Sequence, residues 1–470
     1  MEESPPTPAS MMRILHAIHD FLPRHRAGSE IYAFELCRAL AARGHQVHVL
    51  CAEYDPSRPH ASLSWRWHEG IPVTELVNNW RFRSFDETYA SSELGDVLGH
   101  VLAAVHPDVV HVHNLLNLSF QLPALAAARG TPTVATLHDY TLLCPSGGQR
   151  VHLADEHVCL DIEPERCARC FGQSPFASQM ALPMVGRRFP GSGVSGRLGM
   201  ILRRRWPRLA TRLGRAAAAA APGPAVTPSD IARRLETVRR VFDAVELFAA
   251  PSAALARDFE RFGLPPHKLE VSDYGFPPLA PCKLAPGDGR LRIGFVGTLV
   301  WHKGAHVLID AVRQLPAERW ELTLYGSLGT FPDYVARLRK LATGLPVRFA
   351  GGFEREKVAE VYAAIDVLVV PSLWPENSPL VIHEAFMAGL PVVGSRLGGT
   401  VDLVRDGVNG LLYDAFSAQD LARTLRRLLD EPDLVVRQAS PVKTVAEDAR
   451  EWEVRYRNVC SRNGSDREAE

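Results

Sequence analysis

Short apolar runs alternate with amphipathic stretches of helical length in two successive series, and that alternation restricts the fold more than any other feature of this chain. In the first series RILHAI, from Arg13, reads as a buried strand. A loop through Pro23 to Gly28, a helix from Ser29 to about Arg43, Gly44 and the strand QVHVLC come next. VVHVH, a helix through LPALAAARG and the strand TVATLH follow. The second series opens after the Pro- and Gly-rich PPLAPCKLAPGDG. It reads LRIGFVG, a helix from Gly304, WELTLYG, a helix through TFPDYVARLRKLA, VRFAG, a helix, VLVVPS, a helix and PVVGS. Strands joined by helices of about 10–15 residues pair in parallel, because the helical crossover returns the chain to the same end of the sheet. The expected fold is α/β, with two Rossmann-like doubly wound parallel-sheet domains facing across a cleft. A ligand would lie at the carboxyl ends of the strands, between the domains.

The middle, from about Cys144 to Pro228, breaks the rhythm. It holds four cysteines, then Gly, Ser and Pro, then basic helical sequence, with no Asp or Glu between Glu165 and Asp230. It reads as a Cys-containing, Arg-rich helical insertion in the first domain. The expected division is a disordered tail over 1–11, a first domain over 12–280 with its insertion at about 144–228, a second domain over 290–440, and a C-terminal helix and polar tail over 441–470. A formal net charge of zero gives no reason to expect nucleic acid as a partner. No apolar run reaches the ~18 residues of a membrane span. The start, Met1 to Ser10, lacks the basic and apolar regions of a secretory signal. The expected location is cytoplasmic.

The densest chemical signal is the pair Glu376 and Glu384 in VVPSLWPENSPLVIHEAFMAGLPVV. Ser378 reads as an N-cap, Pro379 as the first helical residue, and Gly389 as the stop. This is a strand–loop–helix–strand unit whose helix N-terminus faces the sheet's carboxyl end. Free N–H groups and roughly half a unit of positive dipole charge suit an anion there. A carboxylate beside it would repel phosphate but accept hydrogen bonds from a diol. A nucleotide sugar offers both, a diphosphate flanked by hydroxyls. The plain alternative is two solvated acids on a helix edge.

Taken with other segments, this stretch resembles the signature of the retaining glycosyltransferases of family four, of the GT-B class. GFVGTLVWHKG, from Gly294, resembles that family's phosphate-binding strand and loop. AGSEIYAFELCRALAARGHQVHVL, from Ala27, resembles its N-terminal glycine loop and first helix. DVVHVHN, TLHDY, LFAAPSAALARDFERFGLPPHKLEV and GGTVDLVRDGVNGLLYD match further segments in order, from about Met12 to Leu429 without the inserted middle. The resemblance implies transfer of a sugar from a nucleotide-sugar donor, with retention of anomeric configuration, to an acceptor it does not name; lipid-linked and polysaccharide acceptors are candidates. A nucleotide-sugar epimerase or sugar phosphorylase of the same fold, or a zinc-containing binding module, is the alternative.

The resemblance also implies roles. Glu384 would bind the ribose hydroxyls. Glu376, with the N–H groups of Asn377, Ser378, Leu380 and Val381, would hold the sugar and diphosphate. Lys303 would neutralise the departing diphosphate. Gly28 would let the first-domain loop approach the phosphates, and Gly297 and Thr298 would form the second domain's phosphate loop. His138 would sit near the transferred sugar. The implied catalytic set is Glu376, Lys303 and His138. Thr298 stands where the family usually has Arg; His302, Arg24 and Arg26 are candidate replacements. No Asp-x-Asp occurs, so no catalytic metal or other cofactor is expected.

Three further features carry expectations. Cys144, Cys159, Cys167 and Cys170 form a candidate structural zinc site, with C-x-x-C spacing in the last two. The 197–215 segment, with Arg203, Arg204, Arg205, Arg208, Arg212 and Arg215 among Met200, Leu202 and Trp206, is a candidate for peripheral contact with an anionic membrane face. His111 and His113 point to one side of VHVH and read as packing or cleft lining ahead of metal ligands. GSGVSG, from Gly191, follows no strand and reads as a flexible loop.

Overall fold

The computed structural model of the protein describes residues 11–174, 225–279, 289–431 and 440–468. The Arg-rich 197–215 segment and GSGVSG lie outside the described residues.

The first sheet has eight strands. They are β1 (Arg13–Ile18), β2 (Gln46–Glu53), β3 (Leu63–His68), β4 (Ile71–Val77), β5 (Val109–Val112), β6 (Thr133–Thr136), β9 (Leu247–Ala250) and β10 (Leu269–Val271), in the order β10-β9-β6-β5-β1-β2-β4-β3. The intervening β7 (Val151–His152) and β8 (His157–Val158) form a separate small hairpin. The second sheet has six strands, β11 (Leu291–Val296), β12 (Trp320–Tyr325), β13 (Val347–Gly351), β14 (Val367–Val370), β15 (Val392–Ser395) and β16 (Gly410–Tyr413), in the order β13-β12-β11-β14-β15-β16. Every pairing in it is parallel.

Burial explains this arrangement. In β1, Leu15 and Ala17 enter one apolar cluster, while Ile14 and Ile18 enter the cluster on the opposite face. In the second sheet Ile293 and Leu322 face one core, Leu368 and Val370 the other. Sheets buried on both sides need helices on both sides, which is the doubly wound arrangement expected from the alternation.

One departure is β3, which runs antiparallel to β4 at the sheet's edge. Its two-residue turn, Glu69-Gly70, has positive φ at both positions (45° and 82°), as the tight hairpin turn requires. The strand places Trp65 and Trp67 in solvent, so it lacks the apolar run that betrays the parallel strands.

In each sheet the strand order reverses beside the first strand, between β1 and β5 and between β11 and β14. Chain connections leave in opposite directions there, and a crevice opens at the carboxyl ends. The loop before Gly28 follows β1, the Gly297–Lys303 loop follows β11, and the Glu376 loop follows β14. The final helix, Val445–Glu468, returns to the first domain and buries Trp452 and Tyr456 in its core.

Candidate active site

The helix after β14 begins one residue later than its sequence suggests. It spans Leu380–Met387, with Pro379 as N-cap in an extended conformation (ψ 114°) and no side-chain cap. The Ser378 hydroxyl is engaged elsewhere, donating to Asp273 at 2.8 Å beside His383 at 2.9 Å. Proline's missing N–H and its restriction of Ser378 make position 379 a natural last non-helical residue. The consequence is a turn whose amides are not all taken up by the helix. Ile382 N–H is satisfied by the Pro379 carbonyl at 3.0 Å. Among the described residues, the N–H groups of Asn377, Ser378, Leu380 and Val381 have no protein acceptor.

Glu376 is 5% exposed. Its Oε1 accepts from Lys303 Nζ at 2.6 Å and from the Ser372 hydroxyl. Lys303 also lies 5.3 Å from the Trp374 ring centroid. The loop is pinned from a segment whose part in the site the sequence did not disclose: Gly399 N–H donates to the Glu376 carbonyl at 2.6 Å. A Cβ on Gly399 would lie 1.9 Å from the Asn377 carbonyl oxygen, so only glycine permits this approach. Glu384, one helical turn into its helix, is half-buried and accepts from the Tyr362 hydroxyl at 2.8 Å. Burial pushes its carboxyl up from the usual range, opposed by the Tyr362 hydrogen bond and by Arg355.

The first domain meets this unit directly. Gly28 opens the helix Gly28–Ala42, and a Cβ there would come 2.9 Å from Leu380 Cδ1. Glycine therefore lets the first domain touch the helix N-terminus without displacing the Leu380 side chain. Asn377 Nδ2 donates to the His138 carbonyl at 2.6 Å, and Ala254 N–H donates to Asp402 at 2.9 Å. The structure thus gathers Gly28, His138, Lys303, Glu376, Asn377, Ser378, Leu380, Val381 and Glu384 around one inter-lobe junction. Gly297 is held by its N–H to the Tyr325 carbonyl at 3.0 Å, and Thr298 is exposed beside it.

His138 is part of a hydrogen-bonded row. Tyr274 hydroxyl meets His138 Nδ1 at 3.0 Å, His138 Nε2 meets His113 Nδ1 at 3.0 Å, and His113 Nε2 meets His16 Nδ1 at 2.9 Å. Burial lowers His138 and His16 to about 3, so both imidazoles are neutral near pH 7. His111 stacks on His113 at 4.2 Å and bonds Tyr456 and Thr136, so hydrogen bonding and packing account for both residues. His16, His111 and His113 nonetheless bring donor nitrogens within 4.8 Å of one another, as do the donor atoms of His19, Asp20 and Glu30.

Two of the candidate substitutes for a cation at Thr298 do not serve. Arg24 is bound to Glu53 at 2.9 Å and to Glu75. His302 is buried and lowered to about 4, first by burial and then by Lys303. Arg26 is exposed. The first-domain rim carries acids that no motif singles out. Asp139 is raised by burial, and Glu30 lies 3.3 Å from His19. Their only prior signal was adjacency, Asp139 to His138 and Glu30 to the glycine loop.

The four cysteines are partly buried free thiols in the chain after β6, from Cys144 to the helix Pro164–Gln173. Burial first, then neighbouring cysteines, push Cys159 up to about 11 and Cys167 up to about 12. Their sulfurs are not among the groups drawn within 4.8 Å. An open pocket lies nearby at the carboxyl ends of β4, β5 and β6, lined by Trp80, Tyr89, Phe120, Thr141, Phe171 and Arg234. It is separate from the glutamate pair. No described helix is long and apolar enough to cross a membrane.

Comparison with known proteins is consistent with this geometry. The model of the group 1 glycosyl transferases matches residues 281–444, and that of glycosyltransferase family 4 matches residues 26–158. A D-inositol 3-phosphate glycosyltransferase of Corynebacterium aurimucosum is 31% identical over 230 residues, 44% of this chain and 53% of that protein. The sulfoquinovosyl transferase of Arabidopsis thaliana is 28% identical over 242 residues, 47% of this chain and 45% of that protein. The chain thus spans about half the length of these relatives. Among solved structures, the catalytic domain of starch synthase IV from Arabidopsis thaliana, bound to ADP and acarbose, superposes with a TM-score of 0.59 at 15% identity, covering 96% of this chain and 100% of that one. Anabaena HepE in complex with UDP and glucose gives 0.53 at 18% identity, covering 98% and 100%. At such identities the likeness is one of fold, and the fold is GT-B.

Proposed function

We propose that this protein, which belongs to the group 1 glycosyltransferases of family four, moves a glycosyl group from a nucleoside-diphosphate sugar to an acceptor hydroxyl. The observation that carries this reading is the set of acceptorless amides at Asn377, Ser378, Leu380 and Val381, flanked by Lys303 and closed over by Gly28. Backbone amides at a helix start are a cradle for phosphate oxygens. Glu384, with one oxygen on Tyr362 and the other without a donor among the described residues, is set one turn away to accept from a ribose diol.

Charge grows on the diphosphate as the bond to the sugar breaks. Fixed amides and Lys303 would stabilise that charge without reorganising. Glu376 holds Lys303 in place and presents its remaining oxygen to sugar hydroxyls. His138, neutral and buried, would contact the sugar by hydrogen bonding. Retention of configuration, with attack on the face of departure, is part of the proposal. The acids and neutral imidazoles on the first-domain rim favour an acceptor recognised through hydroxyl groups.

The test is a thermal-shift screen of UDP, GDP, ADP and TDP against the purified chain. A ligand at 100 times its Kd stabilises by about 2.7 kcal/mol, a rise of a few degrees for a protein of this size. At least one diphosphate raising the melting point in the wild type and failing to do so in Glu384→Ala supports the reading. No shift with any of them at millimolar concentration counts against it.

A further inference from the structure

We propose that Cys144, Cys159, Cys167 and Cys170 together bind one zinc ion, as a structural staple that holds the base of the insertion against the first domain. The four residues come from three separate pieces of chain. Cys144 lies in the turns beyond β6, and its N–H donates to the Tyr140 carbonyl at 2.6 Å. Cys159 directly follows β8. Cys167 and Cys170 share one face of the helix Pro164–Gln173, three residues apart. Cys144 and Cys167 both pack against the same apolar cluster of the first domain, and the hairpin holds Cys159 by its N–H to the Arg150 carbonyl at 2.8 Å, while no three of the four sulfurs yet lie within 4.8 Å of one another.

Two independent observations point to a thiolate–metal centre. The segment around them has little else to hold it. The hairpin strands are two residues each, and among the described side chains between Cys144 and Gln173 the buried apolar ones are Pro145, Val151, Ala168 and Phe171. Such a hairpin is not stable by itself.

Charge is the second. Arg234, on the helix Pro228–Ala244, is 5% exposed, and its guanidinium donates to the carbonyls of Thr141 and Leu142 at 2.5 and 2.7 Å. Among the described residues no carboxylate pairs with it. The ionisable groups whose deprotonated forms would favour its charge are Cys144, Cys167 and Tyr89. A buried cation without a counter-ion is costly. Zinc with four thiolates carries two net negative charges, and Arg234 is placed to balance part of that.

Binding would release the thiol protons to solvent. Tetrahedral Zn–S bonds of about 2.3 Å place the sulfurs about 3.8 Å apart, so the ion would draw turn, hairpin and helix inward. Four sulfur ligands leave no open position, which makes the role structural. The staple would also fix Phe171 and Arg234 in the wall of the neighbouring pocket.

The inference stands apart from the glycosyltransfer reading, and its test needs no activity assay. The full chain is purified under reducing conditions without added metal, and its metal content is measured by mass spectrometry. The expected result is about one zinc per chain, released when a mercurial titrates the thiols, with a melting point that falls on chelation and recovers on adding zinc. The paired Cys167→Ser, Cys170→Ser variant would purify without zinc and show no zinc-dependent recovery. If that variant fails to fold, mercurial release from the wild type decides the matter alone. Absence of stoichiometric metal, iron with visible absorption in place of zinc, or two disulfides in freshly purified protein would overturn the proposal.

Discussion

At Glu384 two pressures oppose each other. Burial pushes the carboxyl up, while Tyr362 and Arg355 pull it down, and the first wins. Only the ionised form can accept from both hydroxyls of a diol, so nucleotide affinity should weaken as pH falls through this raised carboxyl range. Calorimetric titration of the best diphosphate across pH would show it, and Glu384→Gln should flatten the dependence. Glu384→Ala removes two charge-assisted hydrogen bonds, about 2–4 kcal/mol, or roughly 30- to 1000-fold in kcat/KM. Lys303→Ala should lower kcat/KM by about 100-fold or more, because it removes the positive charge fixed beside the diphosphate and leaves Glu376 buried beside its hydroxyl partner alone. Steady-state kinetics with unchanged circular dichroism checks both. These residues were legible because motif and local structure coincide. Gly399 was not, since its role is to let one backbone pass another from a distant segment.

The elements were legible where burial is two-sided. Strands such as VLVV at β14 are continuous apolar runs because both faces are covered. β3 escaped because one face is solvent, β4 because Pro72, Thr74 and Glu75 interrupt its apolar run, and the start of the helix Leu380–Met387 shifted because Ser378 is claimed by Asp273 and His383. The histidine row was only half legible. VHVH announced an inward face, but nothing in the sequence placed His16 and His138 beside it. That row has a measurable cost in acid. His16 and His138 titrate at about 3 when folded and near 6.5 when unfolded, and His111 and His113 are held well below 6.5, all through burial first. Lowered pKa values mean the unfolded chain binds more protons below pH 6.5, so stability falls as pH drops from 6.5 toward 3. Each such histidine contributes up to about 1.4 kcal/mol per pH unit. Urea denaturation at pH 7 and pH 5 should show a clear loss, smaller in His16→Asn.

Across the whole molecule, the C-terminal helix ties the chain's end to its beginning. Trp452 Nε1–H donates to the Tyr32 hydroxyl at 3.0 Å, Tyr32 donates to Asp448 at 2.8 Å, and Trp452 is 1% exposed. Trp452→Ala should cost about 3–5 kcal/mol, read as a lower denaturation midpoint of the first domain. The sequence showed that two doubly wound sheets exist and where each crevice lies. How closely the lobes meet depends on contacts hundreds of residues apart, such as Gly28 with Leu380 and Asn377 with His138, which no local pattern encodes.

The structure of the protein with its preferred nucleoside diphosphate is the decisive measurement. The account predicts phosphate oxygens within hydrogen-bond distance of the Leu380 and Val381 amides and of Lys303 Nζ, with the ribose hydroxyls on Glu384. A nucleotide bound elsewhere, with those amides untouched, would contradict it.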